Sequence, residues 1–168
     1  MKIFTAAQTR QWDAYTITNE PISSVNLMER AATACFNWIT NNFKLSKYYA
    51  IFCGTGNNGG DGLVIARMLL QSGHSVGIYI MEGGKRSADF STNLNRIISL
   101  NTSINFIDKT DFPEIQQDAI IIDALFGTGL SRPLLGLATE LVTHLNQTGK
   151  TIISIDIPTG LFADSSST

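Results

Sequence analysis

A glycine-rich loop at the end of an apolar run constrains the fold of this chain more than any other feature. Residues 48–53 are apolar and typical of a strand, and residues 54–62 then contain five glycines before helical spacing of apolar residues resumes at Leu63. Glycines let the backbone approach a phosphate closely, and the free N–H groups at the start of a helix point toward it. The segment therefore predicts a strand, a tight loop and a helix that together form an anion-binding site.

The side chains of this loop set it apart from an ordinary dinucleotide-binding loop. The glycines that start at Gly54 fit G-x-G-x-x-G, and Glu82, at the end of the next predicted strand, supplies the acidic residue of that fingerprint. Polar side chains are added where a plain dinucleotide loop uses its backbone, by Asn57, Asn58 and Asp61. The loop lacks G-K-[ST], so it is not a Walker P-loop. A specialised site is favoured over two alternatives, a nicotinamide dehydrogenase loop and a purely structural turn.

Two further apolar runs end in a carboxylate followed by loop residues. Residues 119–122 lead to Asp123 and a pair of glycines, and residues 151–155 lead to Asp156 and then Pro-Thr-Gly. Neither run alternates cleanly, as expected for strands that are buried on both faces. Ligands bind outside the carboxyl ends of the strands in an open parallel sheet, so these loops and the glycine-rich loop predict one shared site. The alternative for either aspartate alone is an N-cap or Asx-turn residue.

The order of the predicted elements indicates an α/β fold. The predictions are helices over 5–18 and 24–42, strand 48–53, helix 61–72, strand 75–81, helix 87–100, strand 103–107, a turn near 112–117, strand 118–123, helix 133–148 and strand 151–156, with a frayed end from residue 164. Alternating strands and helices predict a mostly parallel, Rossmann-like sheet in a three-layer α-β-α arrangement. The two extra N-terminal helices either cover the sheet or also form a dimer face.

Length, charge and cysteine content restrict the function classes. A chain of 168 residues corresponds to one domain, and a net charge of −2 without a basic stripe argues against a nucleic-acid partner. The adjacent Lys85 and Arg86 either flank a helix start or meet a ligand phosphate. Two cysteines are too few for a disulfide framework or a zinc site. No apolar run reaches the roughly 20 residues that span a membrane. Because Arg10 and Asp13 interrupt the region of a signal peptide, a cytoplasmic location is expected.

In order and spacing, the three loops resemble those of the N-terminal domain of the YjeF family, the NAD(P)HX epimerases. The resemblance rests on residues 54–62, on D-A-L-F-G-T-G from Asp123 and on D-I-P-T-G from Asp156, and it covers almost the whole chain. The chain departs from the family at Thr159, where serine is usual. The family's domain also continues well past Gly160.

The resemblance implies an isomerase that repairs hydrated nicotinamide cofactors. Its substrate would be NADHX or NADPHX, whose R and S epimers differ at the C6 hydroxyl, and catalysis would need an acid–base group near that hydroxyl and negative charge near a developing cation. An ADP-dependent dehydratase domain follows in bifunctional family members, so residues 1–168 are expected to be a C-terminally truncated domain of a longer, homodimeric protein. The alternatives are a non-catalytic nucleotide-binding or protein-interaction module and a nicotinamide-dependent oxidoreductase.

The resemblance also implies roles for individual residues. Asp156, followed by Asp61, is the candidate for acid–base catalysis. A potassium ion would be held by three side chains that carry hard oxygen atoms, those of Asn58, Asp123 and Thr159. The residues expected to contact the substrate are Asn57, Asn58, Gly59, Gly60, Asp61, Gly127, Thr128, Gly129, Leu130, Ser131, Arg132, Pro133 and Asp156.

Overall fold

The computed structural model describes residues 4–43 and 48–165 as a three-layer α/β fold. The elements are α1 (Ala6–Asn19), α2 (Ser24–Asn42), β1 (Tyr48–Cys53), α3 (Asn57–Gln71), β2 (Ser75–Met81), α4 (Ala88–Ile98), β3 (Ile104–Ile107), β4 (Ile120–Ala124), α5 (Leu137–Gln147) and β5 (Ile152–Ser154). Within these residues the sheet has five strands in the order β3-β2-β1-β4-β5, and every pairing is parallel. The predicted fold class is therefore confirmed.

The centre of the sheet is β1, which pairs with β2 on one side and with β4 on the other. Residues 49–53 of this strand are fully buried, because helices cover both faces of the sheet. The strand order reverses between β1 and β4, where Phe52 lies beside Asp123. A parallel sheet opens a crevice at such a switch point, so the fold places the glycine-rich loop and Asp123 at the position where ligands bind.

Two apolar clusters hold the three layers together. On one face, α2, α3 and α4 pack on the sheet through side chains such as Met28, Leu63 and Phe90. On the other face, α5 packs Leu141 and Leu145 against alternate residues of the same strands. Helices on both faces of the sheet agree with the prediction.

Two helices begin four residues away from their predicted starts. The structure starts α3 at Asn57 rather than at residue 61, so the helix includes most of the glycine-rich loop. Close packing explains the glycines there: a Cβ on Gly59 would collide with the carbonyl oxygen of Gly54, and one on Gly62 would lie 2.6 Å from the Ala124 Cβ. In contrast, α5 starts later than residue 133, after Gly136 with a φ of +55°.

The N-terminal helix packs less closely than the rest. A capping box opens α1: the Gln8 N–H donates to the Thr5 hydroxyl at 3.2 Å, and the Thr5 N–H donates to the Gln8 side chain at 2.9 Å. The Ala6 N–H also donates to the Asp164 carboxylate at 2.9 Å. Asp164 is therefore anchored, contrary to the predicted frayed end, although residues 166–168 of that segment lie outside the described residues.

None of the helices in the described ranges combines the length and apolarity needed to cross a membrane.

Candidate active site

A cleft of about 1030 Å³ lies at the carboxyl ends of β1, β2, β4 and β5. Its walls come from the loops after these strands, from α1 and α2, and from the segment before α5. The residues that line it are Thr9, Arg10, Asp13, Ala31, Ala32, Cys35, Gly54, Thr55, Gly56, Asn57, Asn58, Asp61, Met81, Glu82, Gly83, Gly84, Lys85, Leu125, Phe126, Gly127, Thr128, Gly129, Leu130, Arg132, Pro133, Leu134, Leu135, Leu137, Ala138, Ile155 and Asp156.

The start of α3 presents uncapped backbone N–H groups beside the cleft. Gly56 is the N-cap residue, and no side chain accepts a hydrogen bond at this helix start. The Gly60 N–H donates to the Gly56 carbonyl at 3.1 Å, so intrahelical bonding starts there. The first amides of a helix have no intrahelical partner and lie at the positive end of its dipole. This end of α3 can therefore bind a phosphate of a ligand.

The Asn58 side chain is the clearest sign of a missing ligand. Its amide nitrogen and its amide oxygen are both buried, and neither has a hydrogen-bond partner in the part of the chain that the structure describes. Buried side-chain polar atoms are almost always paired in folded proteins, since desolvation without a partner costs free energy. A bound ion or a polar group of a ligand would supply the partner that Asn58 lacks.

The Asp123 carboxylate connects β4 to the segment that follows β5. It accepts hydrogen bonds from the Thr159 N–H at 2.9 Å and the Thr159 hydroxyl at 2.6 Å. It also accepts from the Ser154 hydroxyl at 3.1 Å and from the Leu125 N–H at 3.2 Å. The Leu125 contact is the Asx-type turn that the sequence left open as an alternative. Asp123 therefore has a structural role, since it joins the end of β4 to the segment after β5.

Thr159 keeps the hydroxyl group that the usual serine would supply. Its hydroxyl oxygen accepts from the Phe126 N–H at 3.1 Å and lies 3.2 Å from the Phe126 carbonyl oxygen. The carboxylate of Asp123, this hydroxyl and this carbonyl thus form a group of hard oxygen donors with one negative charge. Oxygen donors of this kind suit a hard monovalent cation. Of the three predicted ligands, Asn58 lines the cleft with its side-chain oxygen unpaired, whereas Asp123 and Thr159 are buried and lie outside the lining residues.

Asp156 is held in an unusual backbone conformation after β5. Its φ is +69°, in the left-handed region that non-glycine residues rarely occupy. Its carboxylate accepts a hydrogen bond from the Thr128 N–H at 2.6 Å. A Cβ on Gly127 would collide with this carboxylate, so any larger residue at that position would displace the Asp156 side chain. Local strain of this kind is typical of functional sites and supports a functional role for Asp156.

The proton affinity of Asp61 suits acid–base chemistry near neutral pH. Burial, followed by the negative charges of Asp156, Asp13 and Asp89, raises the pKa of Asp61 to about 7. Burial, followed by the charge of Asp156, also raises the pKa of Asp13. Carboxyl groups whose pKa is raised by burial and by neighbouring carboxylates in a cleft are candidates for proton transfer.

The structure brings most of the predicted site residues to the cleft. Those that line it are Asn57, Asn58, Asp61, Gly127, Thr128, Gly129, Leu130, Arg132, Pro133 and Asp156. Gly59 and Gly60 face the packed side of α3 instead, where a Cβ on Gly60 would lie 2.8 Å from the Met28 sulfur. Ser131 is exposed and lies outside the lining residues.

The cleft residues on α1 could not be predicted from the sequence. Thr9, Arg10 and Asp13 line the cleft although α1 lies outside the alternating pattern. Thr9 and Asp13 are four residues apart and share a helix face, but this spacing is equally typical of a solvated face. The sequence therefore carried no specific signal for them. Lys85 also lines the cleft. The sequence alone did not decide whether this lysine flanks a helix start or contacts a ligand phosphate.

A comparison with protein families identifies the domain. The family described as "YjeF-related protein N-terminus" matches residues 24–168. This match covers every loop that contributes to the cleft and leaves out only α1 and the start of the chain.

Curated relatives carry consistent names. A protein of Anaerococcus prevotii named NAD(P)H-hydrate epimerase is 39% identical and is aligned over 98% of this chain and 78% of its own length. One of Oenococcus oeni with the same name is 35% identical over 94% of this chain and 74% of its own. The Bifunctional NAD(P)H-hydrate repair enzyme Nnr of Thermofilum pendens is 31% identical over 98% of this chain but only 32% of its own length.

A solved structure supports the fold. The crystal structure of the yeast protein ynu0 superposes with a TM-score of 0.76 at 23% identity, over 96% of this chain and 72% of that one. At this level of identity the likeness supports the shared fold of the three layers.

Proposed function

This chain belongs to the YjeF family, and from that premise we propose that it is an isomerase, an NAD(P)H-hydrate epimerase. Relatives with this name match nearly the whole chain, and the chain spans about three quarters of their length. The observation that carries the proposal is the pair of carboxylates, Asp61 and Asp156, in a cleft beside an uncapped helix start. The carboxylates can transfer a proton, and the helix start can bind a phosphate.

The proposed reaction inverts one carbon without net redox change. The C6 carbon of NADHX or NADPHX carries a hydroxyl next to the ring nitrogen. A general acid protonates that hydroxyl, the C–O bond breaks, and its electron pair leaves with water. The nitrogen lone pair forms a C=N bond, which gives an iminium-like cation. Water then adds to the other face of C6, and the proton returns to the base. Nearby negative charge stabilises the cation.

The two carboxylates suit the two requirements of this reaction. A group with a pKa near 7 both donates and accepts a proton at neutral pH, and Asp61 has such a pKa because of its burial and its acidic neighbours. Asp156 lies at the end of β5 with its carboxylate fixed on the Thr128 N–H. We place Asp156 against the reacting ring, where it shares the proton transfer and stabilises the developing cation.

A potassium ion bound by Asn58, Asp123 and Thr159 is part of the proposal. The unpaired oxygen of Asn58 and the oxygen donors around Thr159 support it. The ion would supply positive charge that neutralises Asp123 and would join the three loops. The chain's own residues still perform the proton transfer and bind the phosphates.

Incubation with the purified R epimer of NADHX tests the function. The unchanged protein is expected to convert it to a mixture of the two epimers, measured by chromatographic separation, without production or consumption of reduced nicotinamide. Asp156→Asn should lower the rate on the order of 10²- to 10⁴-fold with little change in substrate affinity, since it removes acid–base catalysis. Asp118→Asn is the matched control, because Asp118 is exposed and precedes β4, at the amino end of that strand, whereas the cleft lies at the carboxyl ends.

Other outcomes would favour the other functions. Tight binding of NADHX without epimerisation would indicate a binding module. A change in reduced nicotinamide would indicate an oxidoreductase. Normal turnover of Asp156→Asn would remove Asp156 from catalysis and leave Asp61 as the remaining candidate.

The assembly that we propose is a homodimer that uses α1. Trp12 and Tyr15 on this helix are 57% and 68% exposed, an unusual amount of aromatic surface for a helix that also lines the active-site cleft. Light scattering of the unchanged protein and of Trp12→Ser/Tyr15→Ser should show a dimer and a monomer, respectively. A monomeric unchanged protein would contradict this proposal.

A further inference from the structure

We propose that the loop of residues 82–86, which follows β2, binds the 2′-phosphate of the adenosine ribose and makes the cleft prefer NADPHX over NADHX. This inference rests on the proposed epimerase function and specifies its substrate. Glu82, Gly83, Gly84 and Lys85 of this loop all line the cleft.

The position of the loop matches the far end of a dinucleotide whose reacting ring lies at Asp156. In the sheet, β5 and β2 are separated by β4 and β1. Three inter-strand spacings correspond to about 14 Å, so the second nucleotide of a substrate that starts at Asp156 lies over β1 and β2. In doubly wound sheets that bind dinucleotides, a residue about 20 positions after the glycine loop meets the adenosine ribose there.

The charge of the loop favours a phosphate over a ribose diol. A site for the unphosphorylated ribose uses a free carboxylate that accepts hydrogen bonds from the hydroxyl groups. Here Glu82 occupies that place, but its carboxylate is paired with the Arg86 guanidinium at 2.6 Å. Lys85 forms no ion pair within residues 4–43 and 48–165. The loop therefore carries one carboxylate against two cations, and a phosphate gains from the excess positive charge.

Contacts with the neighbouring elements hold the loop in place. The Ser87 N–H donates to the Thr55 carbonyl at 3.0 Å, and a Cβ on Gly84 would lie 2.7 Å from the Thr55 hydroxyl. The Arg86 guanidinium lies over the Phe106 ring, 5.9 Å from its centre. These contacts fix the loop directly beside the glycine-rich loop. Lys85 is thus presented at the rim of the cleft without a large ordering cost on binding.

Kinetics with both cofactors test the inference. The unchanged protein should show a higher kcat/KM for NADPHX than for NADHX. Lys85→Ala should lower kcat/KM for NADPHX about tenfold, as expected for loss of a hydrogen bond to a charged group, and should change that for NADHX less than about twofold. Lys85→Glu should reverse the preference. Lys150→Ala is the control, since Lys150 precedes β5 and its ammonium group donates a hydrogen bond to the Gln117 carbonyl, at the amino ends of the strands and away from the cleft.

Calorimetric binding of NADP⁺ and NAD⁺ to the same variants separates this inference from the epimerase function. If the unchanged protein epimerises neither substrate, the function fails, but weaker NADP⁺ binding by Lys85→Ala with unchanged NAD⁺ binding still supports the loop assignment. Equal losses for both ligands would place Lys85 on the shared pyrophosphate and overturn the inference. Unchanged binding of both ligands would also overturn it.

Discussion

Replacing Asp61 with asparagine should stabilise the protein more at pH 8 than at pH 5. Burial and the charges of Asp156, Asp13 and Asp89 raise the pKa of Asp61 from 3.8 to about 7. A carboxyl group with a raised pKa in the folded state contributes stability that is fully present below the unfolded pKa and is lost as the pH rises through the folded pKa. Asparagine has a similar shape and cannot ionise, so the variant does not lose stability at this position as the pH rises.

The size of the effect follows from the two pKa values. At pH 5 the Asp61 carboxyl is ionised in the unfolded chain and protonated in the folded protein. Between pH 5 and pH 7 the contribution of Asp61 to the free energy of unfolding falls by about 1.4 kcal/mol per pH unit, about 3 kcal/mol in all. Above pH 7 this contribution levels off. Asp61 retains some exposure to water, which screens its charge. The gain of Asp61→Asn over the unchanged protein should therefore be about 1 to 3 kcal/mol larger at pH 8 than at pH 5.

Urea unfolding at the two pH values measures this difference. Far-UV circular dichroism is the better probe, because Trp12 and Trp38 are already more than half exposed in the folded state and their fluorescence would change little. A reductant keeps the two free cysteines from pairing. The exposed Asp118→Asn variant should show no such pH dependence relative to the unchanged protein. If Asp61→Asn shifts stability equally at both pH values, the assignment of a raised pKa to Asp61 is wrong.

Three further predictions concern packing, the ion and the carboxylates. Gly59→Ala should lower the free energy of unfolding by about 1–3 kcal/mol, measured by urea titration, because the new Cβ would meet the Gly54 backbone. Gly129→Ala is the control and should lower it far less, because the space around Gly129 is open. Replacing potassium with tetramethylammonium should lower the melting temperature and the substrate affinity, and Asn58→Ala should remove both differences; no salt effect on the unchanged protein would contradict the ion site. Asp13→Asn should lower the pKa of Asp61 and move the pH profile of kcat toward lower pH, since Asp13 helps to raise that pKa; an unmoved profile would contradict this coupling.

Two strands could be predicted to the residue from the sequence, whereas β5 covers only three of the six residues predicted for it. β1 and β2 occupy the predicted residues, because strands buried on both faces are continuous apolar runs with sharp ends. The start of α3 could not be predicted, since glycine disfavours helix and the sequence from Asn57 to Gly62 has three glycines. The structure is helical there because only glycines allow α3 to approach Gly54 and Ala124 so closely. Tertiary packing therefore overrides local propensity at the site itself.

The site could be predicted where its residues follow strands, even where the segment after β1 is helical from Asn57, and not where they lie on α1. Asp123 and Asp156 come directly after apolar runs, and a parallel sheet brings such positions together. Asp13 reaches the cleft from a helix whose docking depends on few contacts, including the one between Ala6 and Asp164. No periodicity in the sequence indicates where a loosely packed helix will lie. The charge environment of Asp61, which depends partly on Asp13, was unpredictable for the same reason.

The spacing between Asn57 and Asp61 gives the two ends of this segment different electrostatic roles. The helix dipole stabilises negative charge only near the first turn, and α3 has no acidic residue there. Its first N–H groups and their positive potential thus remain available for a phosphate. Asp61 lies one turn further on, where the dipole has faded and burial dominates, so its pKa rises instead of falling. A carboxylate placed at position 57 or 58 would compete with the phosphate and would lose its proton at neutral pH, which explains why asparagines precede the glycines and the aspartate follows them.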